Sequence, residues 1–514
     1  MRLSEHDASF LYTETASGPM HTAVVYVLEG ELSVEKVYAH FAARMHLVPR
    51  YLQKLALVPF NLAHPKWVAD PDFDLANHIE GYSVPAGSTV QEAMDLLLVL
   101  NEKLLDRSRP LWKTYVVDGV PGKTLLLQQV HHAMIDGVSG VELSMVLLDF
   151  DAEAEDPPPK ELPKADPEPT AIELITEAMR ENVESLTHNP LANLHTDRKS
   201  LELLQNAGRA VSRFFTSPAI TAPWNAGVVG PKRKIRWSSH PFAEFREIRR
   251  ALGGTINDVV LAVVSEGAAR YLDRHREDNA DKRFRVMCPV SVRTEDEQGA
   301  LGNRVSGIFP ALPAWSMDMR ERLRAVCEET ERIKHNEEAQ SLTLMNETSM
   351  SMPAVAMAPA MLVGTRFDPT VLAAQMPAPI APKIGQRPPF FGFNFTCTNV
   401  PGVQVAQYLA GHEVSSMVAF LMLSGTLGYG VAVTSYNQQM IFNYISESRL
   451  LPDIEVMSEA VEEAFEELLA EARKINPPPV SEQKPEHKPG KGSKKSEKKS
   501  QKKSGKKSTK RPAA

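Results

Sequence analysis

Two adjacent histidines, His131 and His132, close an apolar run made by Leu125, Leu126, Leu127 and Val130. Asp136 and Gly137 follow, and an amphipathic segment begins beyond them. A neutral imidazole held where a strand gives way to a turn can take a proton from a hydroxyl and hand it to a leaving group. His132 is therefore the expected general base. A buried, hydrogen-bonded histidine with a structural role is the alternative, and a metal site is a third; no further ligand stands at a helpful spacing for it. Asp136 can orient the imidazole, pair with an arginine to hold the loop closed, or cap a helix starting near Val138. Gly137 and Gly140 permit close backbone or ligand approach beside the base. No G-x-S-x-G is present, so a serine nucleophile is not expected.

The segments around this motif alternate between strand-like and helix-like patterns. His21 to Leu28, Lys113 to Val117 and Thr124 to Val130 read as strands, the last two joined by a turn at Pro121-Gly122. Ser33 to Arg44 and Thr89 to Leu105 read as helices, with Ser33 and Ser88 or Thr89 as caps. Asp151 to Thr170 is acidic and proline-rich, a linker or surface crossover. Helices follow at about 171–187 and 198–215. A second α/β region starts near Lys234, with a helix from about Asn257 to Arg274, a strand at Arg283 to Pro289 and a helix at Asp318 to Lys334. A strand at Phe390 to Thr396, a buried hairpin within Val414 to Ser446 and a helix at Asp453 to Lys474 complete it. The expected organisation is a domain over 1–150, a linker and helical crossover over 151–233, a second domain over 234–475 and a disordered Lys/Ser-rich tail over 476–514.

The 514 residues suffice for two cores, and 43% hydrophobic with 24% charged residues is ordinary for a soluble protein. Cys288, Cys327 and Cys397 are dispersed and odd in number, which suits a reducing compartment and no structural metal. The start, MRLSEHDASFLYTE, has no apolar h-region, so no signal peptide is expected. The longest uncharged stretch, Val414 to Ser446, is broken by glycines and an Asn-Gln-Gln cluster, so it is no membrane span. Thirteen Lys/Arg against three Glu give the tail from Asn476 a net +10, leaving −17 on the rest of a chain whose total is −7. An acidic body with a basic tail argues against nucleic acid as a partner.

HHAMIDG resembles the active-site motif of the bacterial wax ester synthase/diacylglycerol acyltransferase family. In order along the chain, LSEHDASFLYTE with PMHTA, PLWKTYVVDG from Pro110, Asn257-Asp258, MCPVSVR from Met287, GALGNRVSG from Gly299 and FTCTNVPG from Phe395 are similar to that family too. The resemblance spans roughly residues 1–474, excluding the linker. It implies an α/β fold of two similar chloramphenicol-acetyltransferase-like domains, with a tunnel and the active site at their interface. It implies His132 as base and Asp136 as its support, with Arg293 the matching partner for the aspartate. His131 and Gly137 would be supporting residues. Asn257 would steady the oxyanion, or else cap its helix. Pro110, Leu111, Trp112, Val138, Gly140, Asn303 and Asn399 would face substrate. The implied reaction is direct transfer of a fatty acyl group from acyl-CoA to a long-chain alcohol or diacylglycerol, with no bound cofactor and no acyl-enzyme.

The Met-, Ala- and Pro-rich segment from Ser349 to Pro382 suits a tunnel wall or a membrane-facing patch; ordinary core plus a proline-rich loop is the alternative. The basic tail suits anionic lipid headgroups, unless it is a solvated tail that touches nothing. The expected location is cytoplasmic, peripheral to the inner membrane or to lipid inclusions, with the oligomeric state left open. An amide-forming condensation domain shares the histidine motif and is the first rival. A non-catalytic lipid-inclusion coat protein that kept the fold is the second.

Overall fold

The computed structural model describes residues 1–134, 143–158, 160–187, 205–206, 208–209, 219–291, 305–336, 354–366, 390 and 392–476. Asp136, Gly137, Val138, Gly140, Arg293, Asn303, most of the expected helix 198–215 and the tail from 477 onward lie outside them. The strands among these residues are β1 (His21–Glu29), β2 (Gln53–Ala56), β3 (Lys66–Ala69), β4 (Ile79–Ser83), β5 (Trp112–Asp118), β6 (Lys123–His131) and β7 (Arg233–Pro241). They continue with β8 (Arg283–Ser291), β9 (Val305–Ile308), β10 (Ala311–Pro313), β11 (Phe395–Pro401), β12 (Tyr408–Leu409), β13 (His412–Phe420), β14 (Tyr429–Tyr436) and β15 (Gln439–Glu447).

Two mixed sheets organise them. The first runs β12-β13-β1-β6-β5-β4 and the second β10-β8-β11-β14-β15-β7, with β9 beside β8; β2 and β3 form a small ribbon. β6 lies at the centre of the first sheet and is buried over nearly its whole length. That explains its unbroken Leu-Leu-Leu run, since a strand covered on both faces needs no polar alternation. Its Gln128 is accommodated by hydrogen bonds: Nε2 donates to Tyr51 Oη at 3.1 Å, and Tyr26 Oη donates to Oε1 at 3.4 Å.

Capping chemistry sets the helices that flank this sheet. Helix Val34–Arg44 starts at Ser33, whose hydroxyl accepts the Lys36 N–H. Helix Val90–Asn101 starts at Thr89 in a reciprocal capping box with Glu92. It ends four residues short of the expected Leu105. The Asn101 carbonyl accepts instead from the His21 ring at 2.5 Å and from Gln129 Nε2 at 3.3 Å, which draws the helix end onto the sheet.

The uncharged stretch from Val414 to Ser446 holds the expected hairpin and, before it, a strand of the other sheet. β13 pairs with β1 in the first sheet. β14 and β15 form the expected hairpin in the second, turning at Asn437 and Gln438, both with left-handed φ (44° and 62°). The strand expected at Phe390 to Thr396 lies at Phe395–Pro401 instead. Asn394 accounts for the shift. Fully buried, it accepts the Arg285 N–H at 2.8 Å and donates to the Ile220 carbonyl at 2.6 Å, which ties the chain down just ahead of the strand.

In the second half, helix Ile256–Arg274 packs against the last helix, Ile454–Ile475. Gly267 permits the approach, because a Cβ there would stand 2.3 Å from Val461 Cγ2. The described residues of the acidic stretch 151–170 have no regular structure, yet they are fastened to the first half. Arg44 pairs with Asp156, and Lys54 pairs with Glu168 at 3.1 Å. No helix among the described residues is long and apolar enough to cross a membrane.

Candidate active site

β6 ends at His131, directly opposite His21 on β1. The His131 N–H donates to the Leu111 carbonyl at 2.9 Å and the His132 N–H to the Met20 carbonyl at 2.8 Å. The Met134 N–H then closes a tight turn onto the His131 carbonyl at 2.8 Å. The two rings part company here. His131 is fully buried, and its Nδ1 accepts the Ala133 N–H at 3.0 Å. Its ring proton therefore sits on Nε2, which faces Glu14 Oε1 at 3.3 Å. His132 is half-buried, its ring stacked on Phe10 with centroids 4.2 Å apart and planes at 23°. The imidazole closer to solvent is the one assigned as base, and the other is built into the fold.

Glu14 and Phe10 escaped the sequence reading. Their only signal was the segment LSEHDASFLYTE, noted there as a family match without a role for either. The Glu14 side chain is 2% exposed. Burial alone would raise its pKa, but hydrogen bonds from His131, the Met20 N–H at 3.0 Å and Arg107 at 2.9 Å outweigh that and hold it at about 2. His21 is moved the same way for a different reason: burial depresses it to about 4 against the opposing hydrogen bond to Asn101.

His21 leads to a pH prediction. The unfolded chain takes up a proton at this histidine near pH 6.5, whereas the folded chain does so only near 4. Its contribution is intact above about 6.5 and is lost as the pH falls toward 4, on the order of 3 kcal/mol in all. Thermal unfolding temperature should drop from pH 7 to pH 4.5, and the drop should be shallower in His21→Gln. An identical pH slope in the two proteins would refute this assignment.

Pro110, Leu111 and Trp112, expected to face substrate, are placed beside the histidine strand. Leu111 and Trp112 are fully buried. The Trp112 ring stacks between Tyr51 and His78, each at 4.4 Å, and its Nε1 donates to the Tyr51 carbonyl at 2.9 Å. The segment backs the histidine strand through the Leu111 carbonyl. Asn257 does not cap its helix; Thr255 does, in a capping box with Asp258. Asp258 is also tied to Thr330 at 2.7 Å, joining two helices. Asn257 is thereby left exposed, and its Oδ1 accepts from Asn399 Nδ2 at 2.5 Å. The structure thus brings together two predicted residues 142 positions apart. They belong to the second sheet region, whereas His131 and His132 belong to the first. Asp136, Gly137, Val138, Gly140, Arg293 and Asn303 lie outside the described residues.

Beside Glu14 opens a cavity of about 520 Å³, walled by Leu11, Arg107 and the residues Val355, Ala358 and Pro359 of the uncharged helix Ala354–Arg366. Among the described residues no group of three or more His, Cys, Asp or Glu could hold a metal ion.

The wax ester synthase/diacylglycerol acyltransferase catalytic domain matches residues 3–260, and the C-terminal domain of the same family matches residues 301–469. A Mycobacterium tuberculosis protein named as a putative diacylglycerol O-acyltransferase is 27% identical over 91% of this chain and 90% of its own length. Another from that organism, named as a probable diacylglycerol O-acyltransferase, is 26% identical over 92% and 96%. Among solved structures, the wax ester synthase/diacylglycerol acyltransferase from Marinobacter aquaeolei VT8 aligns with a TM-score of 0.60 at 22% identity, over 92% of this chain and all of that one. A starter condensation domain of rhizomide synthetase, a mutant solved with C8-CoA, aligns with a TM-score of 0.55 at 12% identity, over 92% and 93%. The mixed α/β architecture is thus the one expected, that of two chloramphenicol-acetyltransferase-like subdomains. With both of its domains matched in order along one chain, this protein belongs to the wax ester synthase/diacylglycerol acyltransferase family.

Proposed function

We propose that this protein moves a fatty acyl group from acyl-CoA to the hydroxyl of a long-chain alcohol, a diacylglycerol, or both. The observation that carries this reading is the division of labour in the histidine turn. His131 is committed to Glu14 and Ala133, while His132 is half-buried and adjacent. His132 removes the hydroxyl proton as the oxygen attacks the thioester carbonyl. The tetrahedral oxyanion collapses, the C–S bond breaks, and the CoA thiolate takes the proton back from His132. Donors to that oxyanion supply several kcal/mol in acyl transfer. Asn257 is our choice for one of them: Asn399 occupies its Oδ1, which leaves its Nδ2 protons to give. Asp136, with Arg293 as the partner the family motif implies, is our choice for the support of the base.

One wall of the cavity beside Glu14, made by Leu11, Val355, Ala358 and Pro359, suits a hydrocarbon chain, and the opposing Tyr12, Asn61, Arg107 and Glu14 suit a polar group at its end. Radiolabelled palmitoyl-CoA offered with hexadecanol, diacylglycerol or an alkylamine tests the substrate class. Labelled ester with either hydroxyl acceptor is the expected product. Amide as the sole product would point to a condensation-type enzyme, and no product at all to a non-catalytic relative.

Substrates that partition into lipid, with thirteen basic residues beyond Asn476, support work at a membrane or lipid-inclusion surface. Truncation after Asn476 should leave turnover of dispersed substrate intact and weaken binding to anionic liposomes at low salt. Unchanged liposome binding would remove the tail from this account.

A further inference from the structure

We propose that the first helix, α1 (Glu5–Thr13), together with its C-cap Glu14, is a positioning clamp for the histidine pair. Glu14 holds His131 in one tautomer and orientation, and Phe10 holds the ring plane of His132. The proposal rests on His132 being the base.

Phe10 and Glu14 are four residues apart at the end of α1, and each takes one member of the pair. Glu14 is fastened from three directions. Oε1 accepts the Met20 N–H at 3.0 Å, Oε2 accepts Arg107 Nη2 at 2.9 Å, and His131 Nε2 stands 3.3 Å from Oε1. Arg107 also donates to the Leu11 carbonyl at 2.7 Å, so the same cation secures the end of the helix and its carboxylate. A buried carboxylate serving the fold alone would be satisfied by Arg107 and the Met20 N–H. The His131 contact goes further and reaches the turn that carries the base.

The turn transmits that constraint. His131 Nδ1 accepts from Ala133 N–H, and the His131 carbonyl accepts from Met134 N–H. Rotating the His131 ring would release Ala133. His132 lies between these two tethered residues, and its own N–H is held by the Met20 carbonyl, next to the amide that binds Glu14. With its backbone fixed on both sides and its ring lying on Phe10, His132 has little freedom left. Misplacing a catalytic group by about 1 Å can cost roughly 100-fold in rate, and the clamp acts on that quantity.

The test is steady-state acyl transfer by the full chain with palmitoyl-CoA and hexadecanol, comparing Glu14→Gln, His131→Ala, their double variant and Phe10→Leu. His132→Ala is run in parallel. Glu14→Gln should lower kcat roughly 10- to 100-fold while KM for palmitoyl-CoA stays within about twofold. The double variant should lose no more than the worse single one, because residues that act as a unit do not multiply their losses. Phe10→Leu, which leaves the buried carboxylate untouched and so reports even if Glu14→Gln does not fold, should lower kcat about 3- to 10-fold at unchanged KM. Wild-type kcat in Glu14→Gln or Phe10→Leu overturns the clamp, as do losses that multiply in the double variant. If His132→Ala is inactive while Glu14→Gln is fully active, the clamp alone fails. Full activity in His132→Ala removes the underlying base assignment instead.

Discussion

Trp112→Ala should destabilise the fold by about 3–5 kcal/mol, the range for truncating a large buried aromatic side chain. Trp112 is 1% exposed and lies between Tyr51 and His78, with Phe41 beyond, so little of the cavity could be refilled by relaxation. The substitution also removes the donor that satisfies the Tyr51 carbonyl. Two consequences separate this account from a substrate-facing tryptophan. Urea unfolding should shift to lower midpoint, and KM for acyl-CoA should stay close to wild type for the fraction that folds. A variant of undiminished stability with a raised KM would return Trp112 to the substrate site.

The motif at His131-His132 was legible because its residue types are rare together and because a both-faces-buried strand reads as a continuous apolar run. The same reading located β1, the helices Val34–Arg44 and Val90–Asn101, and the hairpin Tyr429–Glu447, where capping residues or turn residues mark the ends. It missed what depends on long-range partners. Nothing local says that β13 leaves its neighbours to pair with β1, since alternation gives a strand but not its sheet. The early end of helix Val90–Asn101 comes from His21, 80 residues away. Asn257 looked equally fit for capping or chemistry, and only the presence of Thr255 in the cap released it. Glu14 is the sharpest case. A glutamate just past a short helix gives no sign of being buried, and its importance arises when β6 brings His131 to it. Trp112 shows what a motif alone leaves out: its side chain is buried between Tyr51 and His78, which no local pattern announces.

The centre of the account is proton transfer by His132. A positioned general base contributes about 100- to 10,000-fold, so His132→Ala should cut kcat by about 1,000-fold. Its neighbour supplies an internal control for folding: His131 is the ring integrated with Glu14 and Ala133, whereas His132 is half-buried and its loss leaves those contacts in place. Thermal unfolding of His132→Ala should therefore stay near wild type. The direct measurement is ester formed from radiolabelled palmitoyl-CoA and hexadecanol by folded His132→Ala under saturating substrate. The account predicts a trace about 1,000-fold below wild type; ester at the wild-type rate would contradict it.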